Sequence, residues 1–201
     1  MTVHFIFEWL ALFLLFGLGI YTMWVIKNEK KTYIKNARTV VFKKFKLLVP
    51  SWWGEVPTNS ENELCFERLD TRYEWKARYT WNPTGDKGDL IELFKKHISD
   101  RKILFDEDTS IIYNPSDFRE GALILSGLYE MVRLEGTATE DRSERLYYDA
   151  FLIREKVTGA FLYAESRSSV LNGLVEGPYF EEVMTRIELA EGSSPSAIKE
   201  N

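Results

Sequence analysis

Residues that could act as nucleophiles or bases are few in this chain. Its single cysteine, Cys65, lies within the apolar-flanked segment 63–67, and His97 follows Lys95 and Lys96. A reactive thiol needs a neighbouring base or a positive environment, and no spacing in the sequence pairs the two residues. We therefore expect Cys65 to be a buried structural residue. We expect His97 to lie in the last turn of a helix, near the terminal carbonyl groups.

Metal and phosphate sites are equally hard to find. The acidic run 106–108 lacks the further spaced oxygen ligands and the terminal glutamate of a calcium-binding loop, so we interpret it as a solvated turn. The sequence contains no G-x-S-x-G or GxGxxG motif and no phosphate-binding GxxxxGK loop. Two histidines and one cysteine also leave little material for a zinc site. The sequence predicts a protein that is not an enzyme, with no catalytic residue, cofactor or metal.

The candidates for binding are a pair of tryptophans and one acidic residue. Trp52 and Trp53 follow Pro50, directly after a basic segment. They can belong to the core, rest on a membrane surface or line a binding groove, and the sequence leaves these three alternatives open. Glu8 is the only charged side chain in a long apolar run, and it is either hydrated at an interface or paired with a cation on a neighbouring helix. We name Glu8, Trp52 and Trp53 as candidate contacts for a partner or a ligand.

An apolar run at residues 5–26 predicts the element that anchors the chain. At 1.5 Å per residue, a helix of this length reaches about 33 Å, enough to cross a hydrocarbon core of about 30 Å. Trp9, Tyr21 and Trp24 lie near its ends, where aromatic side chains favour the membrane interface. A signal peptide would have Lys or Arg before a shorter run and a cleavage site of small residues, and none of these is present. We expect residues 1–26 to form one transmembrane helix.

A basic segment at residues 27–46 follows, with eight Lys or Arg against one glutamate. The charges nearest the apolar run are Lys27, Lys30, Lys31, Lys35 and Arg38. We expect them to contact lipid headgroups, and the positive-inside rule then places the rest of the chain on the cytoplasmic side of an inner or plasma membrane. Nucleic-acid binding is the alternative use of such a cluster. Residues 47–201 hold 29 Asp or Glu against 18 Lys or Arg, which favours membrane contact.

The rest of the sequence predicts an α+β domain over residues 47–190 and a disordered tail over 191–201. Residues 72–81 alternate between apolar and polar types, which is typical of a strand in an antiparallel sheet with one buried face. A strand at 63–69 can pair with it through a turn at 70–71, and short strands are predicted at 103–105 and 110–113. Residues 121–134 are predicted as one longer strand or a bent pair, with a bulge at Gly127. Strands at 146–154 and 159–165 are predicted to pair as a hairpin. Helices are predicted after Asp86 or Asp89 and from Gly177-Pro178 onward. The fold class is thus an antiparallel sheet flanked by two helices, following a single N-terminal transmembrane helix.

This layout resembles a known family. The tyrosine-rich strand 145–150, the strand 159–163 and the closing helix with Phe180, Val183 and Ile187 are similar to the PsbP/Mog1/LpqN-type α-β-α sandwich. The resemblance covers roughly residues 45–190 and identifies no functional residue. It implies a non-enzymatic protein that assists a membrane complex or binds a partner.

Two functions agree with these features. The first is an accessory or assembly subunit of a larger membrane protein complex, whose partners are the other subunits and membrane lipids and not nucleic acid. The alternative is a membrane-tethered domain that binds a lipid or another apolar ligand in an aromatic pocket.

Overall fold

A computed structural model describes residues 2–68, 75–118, 121–141 and 143–192, without the side chains of residues 2–8, 11, 26, 172 and 174. The chain forms two compact units, Met1–Ala37 and Arg38–Asn201. The first unit contains helix α1 (Thr2–Asn36), and the second contains strands and further helices.

Helix α1 carries exposed apolar side chains on all of its sides. Residues 12–16 are consecutive, apolar and exposed; Phe16, for example, is 70% exposed. The helix continues beyond the apolar run, through lysine-rich residues, to Asn36. Among the described residues, no helix is both long and apolar enough to cross a membrane. The predicted transmembrane anchor over residues 1–26 is therefore not supported by the structure.

Antiparallel strands form two sheets in the second unit, which confirms the α+β class. The strands are β1 (Arg38–Phe42), β2 (Phe45–Val49), β3 (Trp53–Val56), β4 (Glu63–Arg68), β5 (Trp75–Asn82), β6 (Ile103–Phe105), β7 (Ile111–Tyr113), β8 (Tyr129–Glu140), β9 (Glu144–Glu155), β10 (Phe161–Ser168) and β11 (Glu188–Leu189). The helices are α2 (Leu90–Asp100), α3 (Ala122–Leu125) and α4 (Val170–Thr185), with a 3-10 turn at Pro115–Asp117. The larger sheet has the order β3-β4-β5-β10-β9-β8-β6, with β7 also paired to β8, and the smaller has the order β1-β2-β11.

Helix α2 covers one face of the larger sheet. It begins after Asp89, whose side chain accepts a hydrogen bond from the Glu92 N–H at 2.9 Å and so caps the helix. Leu90, Phe94 and Ile98 are spaced four residues apart, which places them on one side of the helix. They join a buried cluster with apolar residues of β8, β9 and β10.

Helix α4 covers the opposite face of the same sheet. Its Phe180 packs against Tyr79 of β5 and Phe151 of β9, with ring centroids 6.1 and 5.7 Å apart. Phe151 alternates along β9 with Ala150 and Leu152, which belong to the cluster under α2. Because successive side chains of a strand point to opposite faces, the two helices enclose the sheet in an α-β-α sandwich.

The start of α4 corrects a prediction. The helix begins at Val170, whereas the sequence predicts a start at Gly177-Pro178. Glycine and proline normally weaken or interrupt a helix. Here Gly173 lies against Tyr147 of β9, where an added Cβ would be 2.2 Å from Tyr147 Cγ. The glycine that weakens the helix is thus needed for its packing, and α4 also accommodates Pro178 in its interior.

The predicted strand at 121–134 is wrong in its first part. Residues 122–125 form the short helix α3, and β8 begins only at Tyr129. Gly121 and Gly127 lie on either side of α3 with φ angles of +100° and +72°, which favour glycine and interrupt a strand. Gly127 therefore follows a helix and does not form a bulge in a strand. A short apolar run cannot be assigned to helix or strand by its periodicity.

The alternation of β5 is confirmed where the structure describes it. Trp75, Ala77 and Tyr79 are buried, and Lys76 between them is exposed. The beginning of the predicted strand 72–81, the turn before it and the tail beyond residue 192 lie outside the described residues. The predicted pairing of β9 with β10 is also confirmed by the strand register.

Candidate functional site

Trp53 of β3 belongs to the core. It is 1% exposed, and its ring lies on Trp75 with a centroid distance of 4.2 Å. Its Nε1–H donates a hydrogen bond to Glu176 Oε2 at 2.8 Å. Of the three alternatives for the tryptophan pair, burial in the core is the correct one for Trp53.

Glu176 of α4 is a buried carboxylate that connects this helix to β3 and β4. It is 1% exposed and accepts hydrogen bonds from the indole groups of Trp53 and Trp52, the latter at 3.4 Å. It also forms an ion pair with Arg68 at the end of β4. A buried carboxylate is stable only when donors satisfy it, so these three side chains fix the position of α4.

Trp52 differs from its neighbour because it lies at the surface. Its side chain is half-buried and meets the ring of Tyr179 edge-on, with centroids 5.0 Å apart. Leu171 and Val175 of α4 are 77% and 53% exposed. Leu171, Val175 and Tyr179 are spaced four residues apart, so they follow one another along the outer side of the helix. We call these three residues, together with Trp52, the α4 ridge.

A buried arginine beside α4 is shared by three carboxylates. Arg133 of β8 donates to both oxygens of Asp149 at 2.9 Å and forms ion pairs with Glu135 at 2.9 Å and Glu181 at 3.0 Å. Burial raises the pKa of the fully buried Asp149 to about 7, and the ion pair with Arg133 opposes this shift. Glu135 also accepts a hydrogen bond from the hydroxyl of Tyr147. One cation against three carboxylates gives this edge of α4 a negative charge.

No protein-family model and no curated protein matches this sequence. The Ran-binding protein Mog1p of Saccharomyces cerevisiae is similar in structure over 77% of this chain and 95% of its own, with 10% identity and a TM-score of 0.52. The second unit has a Mog1-like fold. CyanoP, the PsbP protein of Synechocystis, matches with 12% identity, a TM-score of 0.44 and coverage of 77% of this chain and 94% of its own. PA94 of Pseudomonas aeruginosa, a protein of unknown function, matches with 10% identity, a TM-score of 0.43 and coverage of 75% and 94%.

The likeness to Mog1p confirms the predicted sandwich fold, and at this identity it concerns the fold alone. It does not transfer a partner or an activity to the Mog1-like domain.

The predicted structural roles of Cys65 and His97 agree with their surroundings in the Mog1-like domain. Cys65 is buried on β4, and burial raises the pKa of its thiol, although Arg78 lowers it. His97 lies in the last turn of α2 and packs against the rings of Phe161 and Tyr163 at 5.0 and 5.5 Å. Burial lowers the pKa of His97, and the nearby Asp100 opposes this shift. Each side chain thus has packing neighbours that explain it without a catalytic pair.

The acidic run 106–108 is a turn with local partners. Asp106 Oδ2 accepts hydrogen bonds from Thr137 at 2.7 Å and from Arg145 at 3.1 Å. Among the described residues, no group of three or more His, Cys, Asp or Glu side chains is arranged to hold a metal ion.

The sequence pattern does not predict a buried polar network under α2. Glu165 of β10 is 1% exposed and accepts hydrogen bonds from Tyr148 at 2.6 Å, Arg101 at 2.9 Å and Arg167 at 3.1 Å. The hydroxyls of Tyr148 and Tyr163 are 2.6 Å apart, and burial raises the pKa of both. A single glutamate within the otherwise apolar strand 161–165 is the signal from which the network could have been inferred.

Lys44, in the turn between β1 and β2, lies in an aromatic cage. Its Nζ is 4.9 Å from the ring centroid of Trp81, 5.3 Å from that of Tyr129 and 5.8 Å from that of Phe45. It also pairs with Glu155 at 2.7 Å. These cation–π contacts and the ion pair connect the smaller sheet to the larger one.

Most of the predicted membrane-interface residues lie on α1 and are exposed. Trp9, Tyr21 and Trp24 are 47%, 60% and 62% exposed. The exposed lysines of this set are Lys27, Lys30, Lys31 and Lys35. The side chain of Glu8 lies outside the described residues.

Arg38 is the member of the predicted interface set that lies in the second unit. Its Nη2 donates a hydrogen bond to the Trp53 carbonyl at 2.6 Å, and its guanidinium lies 5.7 Å from the centroid of Phe66. The structure therefore brings Arg38 together with Trp53, a contact that the sequence does not predict.

Proposed function

We propose that this chain is a non-enzymatic, membrane-anchored accessory or assembly subunit of a larger membrane protein complex. The observation that carries the proposal is the exposure of α1, where five consecutive side chains, residues 12–16, are each more than half exposed and apolar. Apolar surface on every side of a helix requires lipid or apolar helices of other proteins around it. The basic residues that follow on the same helix favour a cytoplasmic domain and contact with anionic headgroups.

Features of the second unit support a protein partner. The α4 ridge exposes two aliphatic and two aromatic side chains, and aromatic residues with exposed apolar neighbours are typical of interfaces. Mog1p, which shares the fold, is a Ran-binding protein. The residues that could have carried chemistry, Cys65 and His97, have structural neighbours, which supports a non-enzymatic role.

No specific observation favours the alternative of a lipid-binding pocket. The aromatic side chains that would line such a pocket, Trp53, Trp75, Phe66 and Tyr79, pack against one another. Two of them also contact α4, Trp53 through Glu176 and Tyr79 through Phe180.

The proposal is tested by isolating the full chain from its native membranes in a mild detergent. We expect it to sediment with membranes and to co-purify with the same integral membrane proteins in a fixed ratio. The double variant L14R/L18R places two charges at exposed apolar positions of α1 and should abolish both results, because a charge in hydrocarbon is costly. The double variant K95Q/K96Q, which changes exposed residues of α2, serves as the control. Purification of the wild-type chain only as a monomer, without partners, would contradict the proposal.

Sidedness has its own test. A cysteine introduced by Lys95→Cys lies on an exposed part of α2, whereas the native Cys65 is buried. A membrane-impermeant maleimide should label it in inverted vesicles and not in intact cells. The opposite pattern would place the domain on the other side.

A further inference from the structure

We propose that α1 binds a phospholipid whose headgroup carries further phosphate groups in addition to the phosphodiester. The residues that bind it are Lys27, Lys31 and Lys35, which we call the α1 lysine stripe. This inference rests on the proposed function, in which α1 lies in a membrane, and it names the class of lipid that its basic residues select.

The three lysines form one continuous row on α1. They are spaced four residues apart, and each of them is exposed. Residues at this spacing follow one another along the same side of a helix, so the row is about 12 Å long at 1.5 Å per residue. The one acidic residue of the segment 27–46, Glu29, follows Lys27 by two residues and therefore lies on the far side of the helix. The α1 lysine stripe thus presents positive charge without an acidic residue on its own side.

The stripe begins at the expected lipid interface and extends beyond it. Trp24 precedes Lys27 by three residues, is 62% exposed and lies on the same side of the helix. Tryptophan favours the boundary between hydrocarbon and headgroups. Measured along the helix from Trp24, Lys31 is about 10 Å away and Lys35 about 16 Å away. The headgroup region of one leaflet is only about 5–8 Å thick, so Lys35 lies outside it.

This length selects the ligand. The long, flexible side chains of Lys27 and Lys31 can turn back to the phosphodiesters of ordinary phospholipids. Lys35 lies about 9 Å farther out than the headgroup region of such lipids. A phosphate monoester on a polyol headgroup projects farther into the water, and it carries more negative charge than a diester, so it can reach and pair with Lys35. A headgroup with phosphates at two levels therefore matches all three lysines.

The place of the stripe in the chain favours a lipid over an acidic protein segment. Lys27 directly follows the apolar run 5–26, so in a membrane its first neighbours are headgroups. Clusters of lysines in this position attract anionic lipids, and each lysine increases the affinity about fivefold. An acidic protein segment would have to replace those headgroups at Lys27 before it could bind the whole row.

The test measures lipid binding to the full chain in a mild non-ionic detergent by native mass spectrometry. The lipids are phosphatidylinositol and phosphatidylinositol bisphosphate with identical acyl chains. Lys35→Gln removes a charge from the stripe, and Lys30→Gln is the matched control. Lys30 is closer to the apolar run than Lys35, but it lies about 100° from Lys31 and about 140° from Lys35 around the helix.

We expect the bisphosphate lipid to bind at least about tenfold more tightly than phosphatidylinositol, a difference of about 1.4 kcal/mol. Lys35→Gln should lower the affinity for the bisphosphate lipid about fivefold and leave that for phosphatidylinositol unchanged, because only the added phosphates reach this position. Lys30→Gln should lower the affinity for the bisphosphate lipid less than about twofold. Diffuse attraction would give the opposite order, since Lys30 is the lysine nearer to the membrane.

Four results would overturn the inference. Equal affinities for the two lipids exclude selection by the additional phosphates. A larger loss in Lys30→Gln than in Lys35→Gln means diffuse attraction without a defined row. Binding of soluble inositol trisphosphate as tight as that of the lipid means that the ligand is a free phosphate compound. Loss of the co-purifying proteins in K27Q/K31Q/K35Q, with the lipid preference unchanged, means that the stripe binds an acidic protein segment.

These failures are distinguishable from a failure of the proposed function. Each of them leaves the wild-type chain sedimenting with membranes and co-purifying with its integral membrane proteins. If the proposed function is wrong, the wild-type chain itself lacks both properties.

Discussion

Gly173→Ala is the sharpest test of how α4 is held on the sheet. Alanine is a better helix former than glycine by about 1 kcal/mol, so the change would stabilise a helix with nothing beside it. At this position the new Cβ would lie 2.2 Å from Tyr147 Cγ and 2.3 Å from Tyr147 Cβ and Cδ1. Carbon atoms in contact are normally about 3.5–4.0 Å apart. Since the overlap includes Tyr147 Cβ, rotation of the ring cannot relieve it, and α4 must move away from β9.

The expected loss of stability follows from these opposing effects. Overpacking of a dense core costs about 1–3 kcal/mol, and the severity of this overlap points to the upper end of that range. Subtracting the gain of about 1 kcal/mol in helix propensity leaves a net decrease of about 2 kcal/mol in the free energy of unfolding. For a domain of this size, the melting temperature should fall by about 4–8 °C.

The assay is thermal and urea unfolding of the full chain in mild detergent, followed by tryptophan fluorescence. Gly177→Ala is the matched control, because its Cβ would lie 3.4 Å from Tyr147 Cε1, close to an ordinary contact. In Gly177→Ala, the gain in helix propensity is offset by a steric clash between the new alanine and the ring of Pro178. The free energy of unfolding should therefore stay within about 1 kcal/mol of wild type. If Gly173→Ala is as stable as wild type, or more stable, the close packing of α4 on Tyr147 is wrong.

Three further predictions concern buried charges. Glu176→Ala should lower the free energy of unfolding by about 3 kcal/mol in urea titrations, because it removes the acceptor of the buried Trp53 N–H and one member of an ion pair. Lys44→Met should cost about 3 kcal/mol in the same assay, since the methionine keeps the aromatic contacts but removes the ion pair that Lys44 forms with the buried Glu155. The contribution of Asp149 to stability should fall as the pH rises from about 4 to about 7, because its pKa is raised to about 7 in the folded state and the folded chain therefore holds this proton where the unfolded chain has lost it. Urea titrations at a series of pH values measure this slope.

Each of these predictions has a conservative control. Glu176→Gln retains an acceptor oxygen and should lose less than half as much stability as Glu176→Ala. Lys44→Arg retains the charge and should stay near wild type. Asp149→Asn removes the titrating group, so the change in the free energy of unfolding between pH 4 and 7 should no longer include the decrease that Asp149 causes. The argument for Glu176 is contradicted if Glu176→Ala is as stable as Glu176→Gln. The argument for Lys44 is contradicted if Lys44→Met is as stable as wild type, and that for Asp149 if Asp149→Asn leaves the pH dependence unchanged.

Local patterns in the sequence predicted those elements that depend only on residues close together in the chain. The alternation around Trp75 and Tyr79 identified β5, because a half-buried strand must bury every second residue. Asp86 and Asp89 marked the beginning of α2, because an aspartate side chain can accept the hydrogen bond of a free backbone N–H at a helix start. The structure shows that Asp89 is the residue that caps the helix. The pairing of β9 with β10 followed from two such strands separated by a short turn.

Other features depend on contacts between distant residues, which no local pattern contains. Glu176 and Trp53 are 123 positions apart, and only the complete fold brings the carboxylate to the indole. The three carboxylates around Arg133 come from β8, β9 and α4, so their excess over the cation is visible only in the assembled domain. For the same reason, Arg38 was assigned to the membrane interface by its position in the chain, although it binds the carbonyl of Trp53.

The two tryptophans and α4 show how one contact resolves several ambiguities together. Trp52 and Trp53 were treated as a pair, yet adjacent residues at the start of a strand point in different directions. Glu176 can approach Trp53 only if α4 extends N-terminal of Gly177, and the helix can lie that close to β9 only because residue 173 has no side chain. Gly173, which lowers the helix propensity of α4, is therefore the residue that lets this helix lie against β9. Once the inner side of α4 is occupied by Tyr147 and Trp53, Leu171 and Val175 are left exposed on its outer side.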